Sequence, residues 1–162
     1  MPNIYTVEIK KDNENDNVII GQSHFIKTVE DVYEALKSSC LGIEFGFAFN
    51  EASGKRLVRY EGNNDTLIKY AVENAMNIGA GHIFVLIIRN CYPINIMNAL
   101  KNIGEVTCIY AASSNDMKIV VFSENDSRAV IGVMDGKSPT GIETDNDKRE
   151  RKEFLRKIGY KL

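Results

Sequence analysis

Cysteine is scarce in this chain: three in 162 residues, Cys40, Cys91 and Cys108. They are odd in number and far apart. With no CxxC pair and no His/Cys cluster, they offer neither a disulfide framework nor a zinc site. They are expected to be reduced, mostly buried thiols of a cytoplasmic protein. No metal and no cofactor is expected. Long apolar runs are also missing. A membrane span needs roughly 20 apolar residues, and the longest run, Ile83–Ile88, has strand length. Positive charge has no excess: 20 Lys and Arg stand against 22 Asp and Glu, a net charge of −2. A general grip on nucleic acid needs a positive field, so nucleic acid is not an expected partner, although a local basic patch stays open. Met1-Pro2-Asn3-Ile4 has no basic segment followed by an apolar stretch, so no signal peptide is expected.

What is present is ordinary globular usage, 44% apolar and 26% charged. The length suits one domain, residues 1–162, with a core large enough to need no staples. Apolar periodicity and turn chemistry predict the order ββα-ββα-βα-βββ-α. The expected class is α+β (mixed α/β), with one central mixed sheet flanked by helices. Strand Ile43–Asn50 sends Ile43, Phe45, Phe47 and Phe49 to one face. Its other face carries the small residues Gly46 and Ala48, open to a packed helix, a ligand or another subunit. Ile83–Ile88 has no alternation and reads as a central strand covered on both faces. The three strands near 106–134 read as an antiparallel meander, and 145–158 as a terminal helix with one docked face.

Histidine is rarer than cysteine, with only His24 and His82. Histidine is a nucleophile at neutral pH and can carry a phosphoryl group. His24 lies between Ser23 and Lys27–Thr28. Thr28 is a plausible N-cap, so a hydroxyl, a cation and free helix amides would surround an anion. His82 follows Gly79-Ala80-Gly81, whose backbone can converge on a ligand. An ordinary half-buried histidine is the plainer reading of each. Glu51 and Ser53, with Arg56 in the same loop, suit a ligand loop with a carboxylate for ribose hydroxyls or acid–base work, or else a charged hairpin. Arg89, Asn90 and Tyr92 follow the central strand, where Arg89 suits phosphate and Tyr92 a stacked base. Gly132–Ser138 is one residue short of a P-loop, and Pro139 disturbs the helix that motif needs. Lys137 and Ser138 remain possible phosphate donors from a loop.

Several of these segments together resemble the adenosine-specific kinase family. They are Gly21–Asp31, Glu51–Tyr60, Gly79–His82, Arg89–Asn95 and the ending Arg149–Leu162. The resemblance covers essentially the whole chain. It implies a compact α/β domain that binds adenosine and AMP rather than ADP or ATP. It also implies a phosphorylated histidine and self-association as a homo-oligomer. Tyr5, Tyr110 and the Gly46/Ala48 face are the candidate subunit contacts. Cys91 stands where a small residue such as alanine is expected. Three functions compete: an adenosine phosphotransferase working through phosphohistidine, a non-catalytic adenosine or AMP sensor, and an RNA-associated protein, which the charge balance disfavours.

Overall fold

The computed structural model describes residues 1–162. Two strands open the chain, β1 (Asn3–Glu8) and β2 (Asn17–Ser23), followed by α1 (Thr28–Ser39). The next unit is β3 (Glu44–Asn50), β4 (Val58–Gly62) and α2 (Asp65–Ile78). Then come β5 (Ile83–Arg89), α3 (Pro93–Lys101), β6 (Val106–Ser113), β7 (Met117–Glu124), β8 (Ser127–Asp135) and α4 (Asp145–Lys157). This is the α+β order the periodicity predicts.

The strands divide between two sheets rather than forming one. Five pair in the order β4-β3-β5-β2-β6 and three in the order β1-β7-β8. Every pairing is antiparallel, so the sheet is not mixed. The expected meander is therefore broken after its first strand: β6 joins β2, and only β7 and β8 form a hairpin. No helix is long and apolar enough to cross a membrane.

The central strand is β5, buried throughout Ile83–Ile88. Its alternate residues feed two cores. Val85 and Ile87 join Ala48, Leu67 and Ala71 under α2, with Ile119 and Val121 from the smaller sheet. Phe84, Leu86 and Ile88 join Phe45, Phe47, Val32, Leu36 and Leu100 under α1 and α3. Burial of each such side chain contributes about 1.5–3 kcal/mol, so a strand feeding two cores anchors both layers.

The small-residue face of β3 is covered by α2. A Cβ on Gly46 would lie 2.2 Å from the backbone of Leu67 and Ile68. That face is packed within the chain and offers nothing to a second subunit. Helix α2 itself has well-made ends. Asn64 accepts from the Leu67 N–H at 3.1 Å, and Gly79, at φ 63°, donates to Ala75 O.

The cysteine reading needs correction. Cys40, just past α1, and Cys91, just before α3, form a disulfide with their Cα atoms 6.6 Å apart. Cys108, on the sheet edge, is exposed and free. Helices α1 and α3 pack side by side over the phenylalanine core. That packing joins two thiols 51 residues apart in sequence. Closing a loop of that length restricts the unfolded chain. Cys40→Ser is accordingly expected to lower stability by about 2–4 kcal/mol. Urea unfolding of the oxidised protein and the variant checks it, and equal midpoints would refute it.

Candidate functional site

Strand pairing decides which candidate residues can meet. β2 runs antiparallel to β5 with Gln22 opposite Ile83, and β3 pairs Phe49 with Phe84. The end of β2, the end of β3 and the start of β5 therefore lie at one end of the sheet. The start of β4 joins them through the Asn50–Val58 pair, and the start of β6 through Ser23–Val106. Backbone bonds lock these ends together. Ser23 N donates to His82 O at 3.0 Å, His24 N to Glu105 O at 3.0 Å, and His82 N to Asn50 O at 2.7 Å. Both histidines thus stand at one end of the sheet.

His82 is half-buried, and its ring stacks on Phe49 with centroids 5.8 Å apart. Its φ is 64°, and that of Arg56 is 53°. A residue with a side chain held in the left-handed region costs of order 1–3 kcal/mol, and such strain clusters at ligand sites. His24 is exposed. Its expected anion cradle is mostly engaged. Thr28 is the first helical residue and not an N-cap; its hydroxyl donates to Phe25 O at 2.7 Å. The amides of Thr28, Val29 and Asp31 bond to Phe25 O, Ile26 O and Lys27 O at 3.1 Å each. Lys27 pairs with Asp31, whose carboxyl it holds below the usual range, and lies 3.9 Å from Glu105.

Glu51 is also committed. It accepts from Leu57 N and from Arg59 Nη2, each at 2.9 Å. The Leu57 amide and the Arg59 guanidinium hold its carboxyl below the ordinary carboxylate range. An ionised, tied carboxylate shapes the loop and is a poor proton donor.

Four buried side-chain atoms have no hydrogen-bond partner: Ser23 Oγ, Asn50 Oδ1, Arg59 Nε and Glu105 Oε1. All four sit at this same end of the sheet. Glu105 Oε1 has the Lys27 ammonium 3.9 Å away; an unpaired buried polar group costs about 1–3 kcal/mol, so the other three, gathered together, mark a place built for something polar. Asn50 also lines a cleft of about 670 Å³, whose walls include neither histidine and none of Ser23, Arg59 and Glu105. It lies between the β3–β4 loop, Gly79 and Gly81, and the tip of the β7–β8 hairpin. Lys55, Arg56 and Arg128 bring positive charge to it, with Asp126 the carboxylate on the hairpin side. Arg128 also donates to the carbonyls of Asn77 and Ile78, fixing the hairpin against the end of α2. Ser53 lies in the exposed β3–β4 loop.

The remaining candidates are elsewhere. β5 carries the chain about 20 Å, at roughly 3.3 Å per residue, from His82 to Arg89. Arg89 there grips Asp16 through Nε and Nη2 and Asp12 through Nη2, all at 2.8 Å. Those carboxylates raise its already high pKa further. Arg89 is occupied, and Asn90 and Tyr92 share its end of the sheet. The preference of ligands for strand ends holds for parallel sheets, and this sheet is antiparallel. Lys137 and Ser138 follow the end of β8 that is remote from the hairpin tip, beside Asn115 and Asp116. Gly132–Asp135 lies within β8, consistent with the absence of a P-loop.

The family comparison matches residues 7–161 to the adenosine specific kinase family. The chain belongs to that family. It is also similar to a solved protein, the PH1918 protein from Pyrococcus horikoshii OT3. The two are 47% identical over 100% of this chain and 99% of that one, with a TM-score of 0.95. No curated protein matches the chain. Three of the segments that carry the likeness to adenosine specific kinases, Gly21–Asp31, Glu51–Tyr60 and Gly79–His82, meet at the histidine end. Arg89–Asn95 holds the opposite end.

Sequence reasoning did not name Asn50, Glu105 and Arg128 among the candidates, and the structure brings all three to the histidine end. Asn50 was legible as the polar residue that closes the apolar run Phe45–Phe49. Its amide donates to Ala75 O and Ala80 O at 2.9 and 3.0 Å, holding the glycine loop. Glu105 and Arg128 gave no local signal, since each reaches the site through strand pairing.

Proposed function

We propose that the histidine end of the five-stranded sheet binds adenosine and AMP, and that a histidine there carries a phosphoryl group. The observation that carries this reading is the cluster of buried polar atoms without hydrogen bonds at the histidine end, one of which, on Asn50, belongs to a residue that lines a cationic cleft. Their chemistry is mixed. Ser23 Oγ and Arg59 Nε can donate to phosphoryl oxygens, while Asn50 Oδ1 and Glu105 Oε1 can accept from an amine or ribose hydroxyls. A nucleoside with one phosphate supplies both kinds of group. Lys55, Arg56 and Arg128 suit the phosphate of AMP.

The transfer is a displacement at phosphorus. In the phosphorylated protein the 5′-hydroxyl oxygen of adenosine attacks phosphorus and forms the new P–O bond. The P–N bond breaks, its electron pair returns to the imidazole, and the hydroxyl proton leaves to the histidine that is not the carrier or to water. The products are AMP and neutral histidine. Loading the histidine needs a high-energy phosphoryl donor, whose leaving group departs with the electron pair of the broken bond to phosphorus. The tied states of Glu51 and Asp31 favour the second reading, a non-catalytic sensor, to the extent that neither is free to shuttle protons. Turnover with candidate donors separates the two.

Calorimetry should find adenosine and AMP binding in the submillimolar range and ATP much more weakly. ATP binding as tightly as AMP would overturn the reading. Ser23→Ala gives a sharper test. Removing a buried, unpaired hydroxyl should leave the free protein as stable or about 1 kcal/mol more stable. The same change should weaken AMP binding about tenfold, roughly 1.4 kcal/mol. A serine with a purely structural role would lower stability and leave affinity alone.

A further inference from the structure

We propose that Asn50 sets the base specificity of the nucleoside site: its side-chain oxygen accepts a hydrogen bond from the exocyclic amine of adenine. The proposal rests on the reading of the histidine end as an adenosine and AMP site, and it names the atom that recognises the base. Asn50 closes β3 and is 7% exposed. Among the residues that line the 670 Å³ cleft it is the only buried one. Its amide can stand in one orientation only. Nδ2 donates to Ala75 O at 2.9 Å and to Ala80 O at 3.0 Å. An amide nitrogen carries two hydrogens and carbonyl oxygens only accept, so both hydrogens are used. Half a turn of the group would press its oxygen against two carbonyl oxygens. Oδ1 is therefore fixed as an acceptor, and no group in the protein donates to it.

The cleft sorts the parts of a nucleotide by burial. Lys55, Arg56 and Arg128 are exposed, which suits a phosphate that keeps part of its water. Asp126 and Ser127 on the hairpin side can take ribose hydroxyls. The base has apolar faces and belongs on the inner wall, with Asn50 and the half-buried Val58. On adenine the ring nitrogens accept and the exocyclic amine donates. The amine is the one group of the base that can satisfy Oδ1.

A fixed acceptor discriminates in a way that a rotating hydroxyl does not. A purine with no substituent at that position leaves Oδ1 buried and unpaired. A purine with an oxygen there sets lone pair against lone pair. Sites built to bond a polar group reject analogues that lack it far more strongly than apolar pockets reject a missing methylene. Asn50 also ties the base to the chemistry. Its backbone oxygen accepts from His82 N at 2.7 Å, and Gly81, the residue before His82, lines the same cleft. The β3–β4 loop that follows Asn50 holds Arg56 strained at φ 53°. Its movement would admit the base edge to an oxygen that is buried in the free protein.

Calorimetry of the full chain with three nucleotides tests the proposal. They are AMP, purine riboside monophosphate, which lacks the amine, and inosine monophosphate, which has oxygen in its place. AMP should bind the wild type about 10–100-fold more tightly than purine riboside monophosphate. Inosine monophosphate should bind no better than the latter. In Asn50→Ala, checked for folding by circular dichroism, AMP and purine riboside monophosphate should bind within about threefold of each other. NMR of the Asn50 side-chain amide in the wild type gives a second readout that needs no variant. AMP should shift its Nδ2 signal, and purine riboside monophosphate should move it far less. If Asn50→Ala does not fold, the wild-type nucleotide series and this signal decide together. Equal affinities for the two nucleotides, with the backbone signals of the histidine end still moving, would overturn the proposal and leave the binding site standing. Discrimination that survives in folded Asn50→Ala, or that leaves the Asn50 signal unmoved, would also overturn it. A wild type that binds no AMP would overturn both the proposal and the site.

Discussion

His24→Asn and His82→Asn are each expected to abolish the phosphorylated form while the fold survives. Intact-mass measurement in neutral buffer reads this directly as the loss of one phosphoryl unit. The two histidines stand just beyond the end of β2 and just before β5, which the backbone Ser23 N–His82 O bond joins. Asparagine is the appropriate replacement because it tolerates the left-handed backbone that His82 adopts at φ 64°. The exposed His24 has easier access to a donor, whereas the half-buried His82, stacked on Phe49, is better shielded from water. Under the proposed transfer one would serve as carrier, His24 ahead of His82, and the other as acid or base. A phosphoryl adduct that persists in the double variant would show that neither is the carrier.

Arg89→Met is expected to cost about 3–5 kcal/mol of stability without weakening AMP binding. Asp16 is 1% exposed and takes two of Arg89's three hydrogen bonds. Removing the guanidinium leaves a carboxylate buried without its partner, which is the costly half of breaking such a pair. Urea unfolding should show a lower midpoint with an unchanged slope. Adding Asp16→Asn to the variant should recover part of the loss, since the unpaired charge is then gone. A cost under about 1 kcal/mol would contradict the clamp. A loss of AMP affinity in the folded variant would instead return Arg89 to the binding site, as its place after the central strand suggests on sequence grounds.

The contrast between Arg89 and His82 shows what a single sequence conveys. Both flank the most apolar strand, and that strand was legible because burial on both faces leaves an unbroken run, Ile83–Ile88. The helices were legible from their spacing and caps, as at Asn64 and Gly79. Which end of β5 is left with polar groups free of hydrogen bonds depends on long-range partners. Asp16, 73 residues from Arg89 in sequence, captures one end, while β2, β3, β4 and β6 bring their ends to the other. The same distance hid the Cys40–Cys91 bond, which exists because α1 and α3 pack together. Periodicity reports the local helix or strand. It carries no record of the long-range partner, and so it could not separate a phosphate-binding arginine from a buried clamp. It also gave α4 a docked face, whereas the structure leaves Phe154 and Ile158 exposed.

The most direct test of the central claim is backbone amide NMR during titration with AMP. The account predicts the largest shifts at Ser23, Asn50, Arg59, His82 and Glu105, with smaller ones across Lys55, Arg56 and Arg128. It predicts that Arg89, Asn90 and Tyr92, at the far end of β5, stay still. Shifts concentrated at Arg89–Tyr92, with the histidine end silent, would contradict it.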